Sequence, residues 1–369
     1  MKRSIIVFAT VLYLISALPI FVSAVDVSAR SAVLIEAGTE DIIYEKNANE
    51  RMSMASTTKI MTALVALEHG QLDKKVKVSD KACGIEGSSI YLKPGEVLTL
   101  EDLLYALMLE SANDAAAAVA YEIAGDIDSF AEMMNETAEA IGLRDTHFTN
   151  PHGLDNEEHY TTALDLAKLT AYALKNEQFR TIVSTYKRQI PLNGDEGVRV
   201  LVNHNKLLRL SDDVIGVKTG FTKHSGRCLV SAAERNGVCV IAVTLNAPDD
   251  WNDHLNMHEA GFSEYSSVTL AEAGEFTVEI PCTTAEGGYV MLQNKDELIL
   301  TLRNGTEITH KVVADRLLFP PIETGEELGQ VIFYSDGEEL GSVPLYSTST
   351  VDLLTVPKSG LQKFIDFFR

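Results

Sequence analysis

Met54-Ala55-Ser56-Thr57-Thr58-Lys59-Ile60-Met61-Thr62-Ala63-Leu64-Val65-Ala66-Leu67-Glu68-His69-Gly70 carries a serine and a lysine three positions apart at the head of an apolar helix pattern. Ile60, Ala63, Leu64 and Leu67 form one face, and Met61, Val65 and Ala66 leave little polar surface. A helix apolar on most sides belongs in a core, and Gly70 is expected to stop it. Ser56 falls at the helix N-terminus, where free N–H groups and a partial positive charge favour a developing oxyanion. Lys59 lies one turn on, on the same face. In apolar surroundings its ammonium is desolvated, its pKa drops, and a neutral amine can take the serine proton. The plainer alternative is an N-cap serine followed by a surface lysine.

Ser-x-x-Lys is a weak signal alone, expected roughly once by chance in a chain of ordinary composition. It recurs at Ser184-Thr-Tyr-Lys187, which lacks an apolar helix and runs into Pro191. Two further motifs follow Ser56 in order. Ser111-Ala-Asn113 lies between two helix patterns. In an extended segment its two polar side chains face the same way, although helix capping before Asp114 is the commoner use of such residues. Lys218-Thr219-Gly220 ends the strand pattern Val214 to Lys218. It offers a fixed cation, a hydroxyl and a position without a side chain, which suits an extended peptide docking by its terminal carboxylate. The alternative there is a plain strand end.

Around these motifs, strand-like runs (Ala32 to Glu36, Ile42 to Glu45) precede a block of helices (residues 100–109, 114–123, 126–142 and 161–175). Strands return at 214–219, 227–233 and 238–245. That order predicts an α+β fold with an antiparallel sheet drawn from both ends and a helical cluster. From about residue 268 short alternating runs take over, punctuated by Asn304-Gly305 and Asp336-Gly337 as hairpin turns, so 268–350 reads as a separate small all-β domain after a catalytic domain at 25–265.

Residues 1–24 read as a secretory signal: Lys2 and Arg3, an apolar stretch from Ile5 to Ile20, and Val22-Ser23-Ala24 before cleavage. At the other end, within 356–369, Leu361, Phe364, Ile365 and Phe368 make an apolar stripe flanked by Lys358, Lys363 and Arg369. This predicts a short amphipathic helix lying on a membrane surface rather than spanning it. The leader holds two of the 31 Lys+Arg and none of the 53 Asp+Glu, so the mature chain is strongly acidic. Such a surface argues against nucleic acid, and an anionic substrate needs a local cation. The four cysteines read as free. An Asn236-Gly237 hairpin sets Glu234 opposite Cys239 and leaves Cys228 about 20 Å away.

The ordered triple Ser56-x-x-Lys59, Ser111-x-Asn113 and Lys218-Thr219-Gly220 resembles the penicillin-recognising serine enzymes. Ser-Ala-Asn in the second motif is similar to the low-molecular-mass D-alanyl-D-alanine carboxypeptidases. Met54 to Met61, Asn150-Pro-His-Gly-Leu-Asp155 and Gly216 to Phe221 agree with that family. The resemblance implies that Ser56 attacks the bond between two terminal D-alanines of peptidoglycan stem peptides. Lys59 serves as base and Ser111 helps protonate the leaving D-alanine. Asn113 positions the acyl chain, Lys218 and Thr219 bind the terminal carboxylate, and Gly220 belongs to the same substrate-binding motif. The backbone N–H groups of Ser56 and Phe221 form the oxyanion hole. Penicillins acylate the same serine. The setting implied is the cell-wall space at the outer face of the cytoplasmic membrane.

Other readings share parts of this pattern. A DD-endopeptidase uses the same chemistry. A class A β-lactamase needs a deacylating glutamate in Glu-x-x-x-Asn, and neither Glu157 nor Glu158 has an asparagine four residues on. A penicillin sensor needs a signalling span. Asp253, His254 and His258 have metal-ligand spacing but lack His-Glu-x-x-His, so a solvated helix face is expected there. No metal or cofactor is expected. His152 is expected to serve its loop, not catalysis.

Overall fold

The computed structural model describes residues 25–192, 197–283 and 285–353, and these divide into two compact units at residue 266. The expected leader and the expected terminal helix lie outside the described residues.

In the first unit, β1 (Ser31–Glu36) and β2 (Ile42–Lys46) form an antiparallel hairpin. A 3-10 turn, Ala55–Thr58, leads directly into α1 (Lys59–His69). A short ladder pairs β3 (Lys75–Lys77) with β4 (Val97–Thr99). Then come α2 (Leu100–Leu109), α3 (Asn113–Ala124), α4 (Ile127–Ala140), α5 (Ala163–Leu174) and α6 (Glu177–Ser184). A second hairpin joins β5 (Lys187–Pro191) to β6 (Val198–Val202). The chain closes the unit with β7 (Val214–Thr222), β8 (Gly226–Arg235), β9 (Val238–Leu245) and α7 (Asp250–Glu264).

The main sheet runs β2-β1-β9-β8-β7, with every neighbouring pair antiparallel. The α+β expectation holds: the first strands pair with the last, and β7 is left at an edge. Period-two alternation separates two cores. Val33 and Ile35 of β1 join the large helical core with α1, α2, α3 and α5. Ala32 and Leu34 face the opposite cluster, where α7 contributes Met257. Lys59 through Ala66 of α1 are all buried, so this helix is enclosed on every side. Thr99 and Asp102 form a reciprocal capping box that fixes the start of α2.

α1 stops at Gly70 as expected; the glycine is extended, and a Cβ there would meet Leu100 Cδ2 at 2.3 Å and Ala66 O at 2.7 Å. Close packing, not a turn, requires the glycine. Two local expectations are corrected. Lys218-Thr219-Gly220 does not end its strand, because pairing continues from Gly220↔Cys228 to Thr222↔Gly226. The segment before α3 is not simply extended: Ser111 is left-handed at φ 58°, and Asn113 already begins the helix.

Beginning at the boundary, β10 (Tyr265–Ala271) leads into the second unit, with β11 (Thr277–Pro281), β12 (Tyr289–Asn294), β13 (Leu298–Arg303), β14 (Thr309–Ala314), β15 (Glu327–Ser335) and β16 (Glu338–Ser347). Five of them form a sheet ordered β11-β12-β16-β15-β14, while β10 pairs with β13. Asp336 and Gly337 both have positive φ and close the β15–β16 hairpin. Asn304-Gly305 reverses the chain but makes no hairpin, since β13 and β14 belong to different sheets. A two-residue turn signal specifies reversal and leaves the partner to packing; β14 pairs with β15 through Val312↔Val331.

The four cysteines are free. Glu234 pairs with Cys239 across an Asn236-Gly237 turn whose two residues have positive φ, and Cys228 pairs with Leu245 at the far end of β8.

Candidate active site

Ser56 sits in the 3-10 turn ahead of α1, and Ala55 before it is left-handed at φ 47°. Lys59 is 0% exposed, and its Nζ lies 3.0 Å from Ser56 Oγ, 2.7 Å from Asn113 Oδ1 and 2.5 Å from the His152 carbonyl. Burial pushes the Lys59 pKa well below the usual lysine range. The Lys218 charge pushes it further down, and Asp114 opposes both.

The partner set fits a neutral amine. Such a nitrogen has two N–H donors and one lone pair. Asn113 Oδ1 and His152 O only accept, so they take the two hydrogens. The lone pair is left for the one neighbour that can donate, the Ser56 hydroxyl.

Asn113 is fixed from several directions. Its backbone N–H donates to Ser88 O at 2.7 Å and its Nδ2 donates to Glu86 O at 2.5 Å. Ser111 is buried in the turn just before it, and no hydrogen bond of its hydroxyl is found among the described residues.

β7 brings the third motif against the Ser56 turn. A Cβ on Gly220 would stand 3.1 Å from Ser56 N, 3.2 Å from Ala55 Cβ and 3.2 Å from Met54 O. A side chain there would hold the strand off the turn. Lys218 is buried, donates to Thr219 O at 2.9 Å, and burial lowers its pKa to about 7. Thr219 is half-buried, whereas the Phe221 side chain is 66% exposed. The structure thus gathers Ser56, Lys59 and Asn113 by direct hydrogen bonds and packs Gly220 on the same turn. Ser184, by contrast, ends α6, and Lys187 begins β5.

The 149–162 loop supplies contacts that residue types did not announce. Besides the His152 carbonyl on Lys59, Pro151 O accepts from Thr62 Oγ1 at 2.6 Å. A Cβ on Gly153 would lie 1.9 Å from Ala55 O, so only glycine permits this approach. His159 Nδ1 accepts from Thr149 N at 3.0 Å, which leaves Nε2 as the donor to Thr58 Oγ1 at 2.8 Å; Thr58 passes the bond to Ala55 O at 2.8 Å. Burial lowers the His159 pKa to about 4, keeping this neutral tautomer at ordinary pH. Asp155 Oδ1 accepts from Ser53 Oγ and Thr222 Oγ1, linking the segment before Ser56 to β7. Glu157 and Glu158 are exposed at the surface. Asn150 to Asp155 stood out in the sequence, but a carbonyl contact has no residue-type signature.

The i, i+4 histidine pair on α7 is not a solvated face. His254 and His258 are buried and share Ser231 Oγ at 2.6 and 2.7 Å, and His254 Nε2 meets Thr244 Oγ1 at 2.9 Å. α7 turns this side onto β8 and β9, where two hydroxyls meet three of the four ring nitrogens.

The sequence profile of the D-alanyl-D-alanine carboxypeptidase family matches residues 19–249. That of the penicillin-binding protein 5 C-terminal domain matches residues 265–353. The D-alanyl-D-alanine carboxypeptidase DacF of Bacillus subtilis is 34% identical over 330 residues, covering 86% of this chain and 84% of the relative. A D-alanyl-D-alanine carboxypeptidase of a Streptomyces species is 36% identical over 256 residues, covering 64% of this chain and 88% of the relative. Among solved structures, penicillin-binding protein 5 from Haemophilus influenzae superposes with a TM-score of 0.64 at 27% identity, covering 89% of this chain and 98% of that one. A lysine poised beside a serine, on a fold shared with these peptidases, leads to one conclusion: the chain belongs to the D-alanyl-D-alanine carboxypeptidase family of serine-type peptidases.

Proposed function

We propose that this protein removes the terminal D-alanine from peptidoglycan stem peptides through an acyl-enzyme on Ser56, and that penicillins acylate the same oxygen. The observation that carries the reading is the Lys59 nitrogen, buried and flanked by two acceptors and one hydroxyl.

In this reading Ser56 Oγ attacks the carbonyl carbon of the penultimate D-alanine as its proton passes to Lys59 Nζ. The carbonyl oxygen becomes an oxyanion between the backbone N–H groups of Ser56 and Phe221; losing one such donor costs about a hundred- to a thousand-fold in rate. The C–N bond then breaks, and the proton held at Lys59 reaches the departing amine by way of Ser111. Water attacks the ester with Lys59 again as base, releasing the shortened peptide and restoring Ser56. Asn113 holds the acyl chain. Lys218 and Thr219 receive the terminal carboxylate, and Gly220 lets the peptide edge and the nucleophile turn approach. The surface position of Glu157 and Glu158 speaks against a deacylating glutamate of the β-lactamase kind.

The sequence supports export by the 1–24 leader, catalysis by residues 25–265, a β-rich domain at 268–350, and a 356–369 helix on the outer face of the cytoplasmic membrane. Family membership fits a cell-wall setting. Intact-mass spectrometry after incubation with benzylpenicillin, followed by peptide mapping, tests the site. One adduct is expected on the peptide containing Ser56, and none on a Ser56→Ala chain. An adduct elsewhere overturns the assignment. Deleting residues 358–369 is expected to release the protein from membranes; continued sedimentation with them would rule out the anchor.

A further inference from the structure

The Ala55–Ser56 peptide unit has its two polar ends against different elements. It is trans, and a trans peptide is planar, with C=O and N–H pointing in opposite directions. Whatever fixes Ala55 O therefore aims Ser56 N–H. The N–H end faces β7: a Cβ on Gly220 would stand 3.1 Å from Ser56 N. No hydrogen bond of this N–H is found among the described residues. The C=O end faces the 149–162 loop, where a Cβ on Gly153 would stand 1.9 Å from Ala55 O and 2.9 Å from Thr58 Oγ1.

Ala55 needs holding. Its φ of 47° is uncommon for a residue with a Cβ and persists only where the surroundings impose it. Those surroundings include a one-way chain of donors. Thr149 N–H donates to His159 Nδ1 at 3.0 Å, His159 Nε2–H to Thr58 Oγ1 at 2.8 Å, and Thr58 Oγ1–H to Ala55 O at 2.8 Å. Thr58 and His159 are both buried, and the Phe148 ring stands edge-on to the imidazole with 5.9 Å between centroids. Away from water, each bond in such a chain polarises the next. The last acceptor is the carbonyl conjugated to Ser56 N–H, so drawing electron density onto Ala55 O makes that N–H a stronger donor.

We propose that His159 is a positioning residue for the reaction: through Thr58 and the Ala55 carbonyl it orients and strengthens the Ser56 N–H as an oxyanion donor, without touching substrate. No proton moves along the chain; its effect is geometric and electrostatic. The inference rests on the reading that the Ser56 N–H receives the oxyanion.

The test reads the hole directly. Benzylpenicillin leaves an ester on Ser56, and hydrogen bonds to the ester carbonyl lower its infrared stretching frequency. Thr58→Val keeps the side-chain volume and removes the hydroxyl. It should raise that frequency and slow acylation about ten-fold, short of the hundred- to thousand-fold for losing a donor outright. In D-alanine release from a peptide ending in D-alanyl-D-alanine, the loss should fall on kcat with KM nearly unchanged. Thr58→Ala removes the same hydroxyl without adding a methyl group and should reproduce both changes if the valine chain does not fold. Thr58→Ser keeps the hydroxyl and should recover the band and most of the rate. His159→Leu should move the band in the same direction, and combining it with Thr58→Val should cost little more than Thr58→Val alone, because the two act through one chain. An unmoved band in the folded valine or alanine chain, or a Thr58→Ser chain as slow as Thr58→Val, overturns the relay. The adduct on Ser56 of the unaltered chain reports the underlying reading separately. Its presence with a band that ignores Thr58 sinks the relay alone; no adduct at Ser56 sinks both.

Discussion

Replacing Lys59 with methionine deletes the terminal nitrogen and keeps an unbranched stem as far as Cε. That nitrogen is fully buried and 3.0 Å from Ser56 Oγ, and among the described residues no other basic group is hydrogen-bonded to that oxygen. A positioned general base contributes about a hundred- to ten-thousand-fold, and the second-order rate of acylation by benzylpenicillin should fall by that range. The structural cost is separate. Asn113 Oδ1 and His152 O each lose a donor, at about 1–3 kcal/mol per orphaned acceptor, offset in part because no amine has to be desolvated. The variant should fold with a modestly lowered Tm. Time-resolved intact-mass measurement across pH separates the two effects. On the proposed mechanism the rate in the unaltered chain should rise with pH as Lys59 gives up its proton. It should fall again above about 7, as Lys218 loses the charge proposed to attract the carboxylate. Bound carboxylate moves this upper limb to higher pH. Lys59→Met should lose the rising limb and keep the falling one. A folded variant that acylates within about three-fold of the unaltered rate would refute Lys59 as the base, since a base is worth at least about a hundred-fold.

Other substitutions probe the surrounding geometry. Gly220→Ala places a carbon 3.1 Å from Ser56 N and should displace β7 by a few tenths of an ångström, slowing acylation about ten- to a hundred-fold with little change in Tm. Unchanged acylation kinetics would show that the strand–turn contact is not needed. Lys218→Ala should raise KM for peptides with a free terminal carboxylate far more than for their amides, measured by D-alanine or D-alaninamide release. In the His254–Ser231–His258 cluster, burial lowers the His258 pKa to about 4 from 6.5. The unfolded chain therefore takes the proton first as pH falls. The stability contributed is complete above about 6.5 and is lost progressively down to about 4, amounting to about 2 kcal/mol between pH 7 and 5. His258→Gln should remove that share of the pH dependence in denaturant titrations, and an unaltered slope would contradict it.

The sequence was legible where one residue type forces one geometry. The enclosed α1 followed from apolar residues on all sides, and the β8–β9 register from Asn236-Gly237. The three motifs could be ordered before their convergence was visible. What stayed hidden depends on the main chain or on long-range packing. The His152 carbonyl and the Gly153–Ala55 approach involve atoms common to every residue. α6 covers only eight residues, too few for a periodic signal to stand out. His254 and His258 looked like polar surface because their partners, Ser231 and Thr244, come from strands distant in sequence or across a turn. The left-handed Ser111 breaks the local alternation that its motif suggested.

Of the three atoms around the Lys59 nitrogen, two belong to side chains and one is the carbonyl oxygen of residue 152. A carbonyl has no codon of its own. Inherited change can swap the imidazole at 152 and still leave the acceptor in place, whereas a single base change at Gly153 can drive a methyl group into Ala55 O. A lineage evolving away from inhibition therefore has more room at 152 than its proximity to the amine suggests, and almost none at its neighbour.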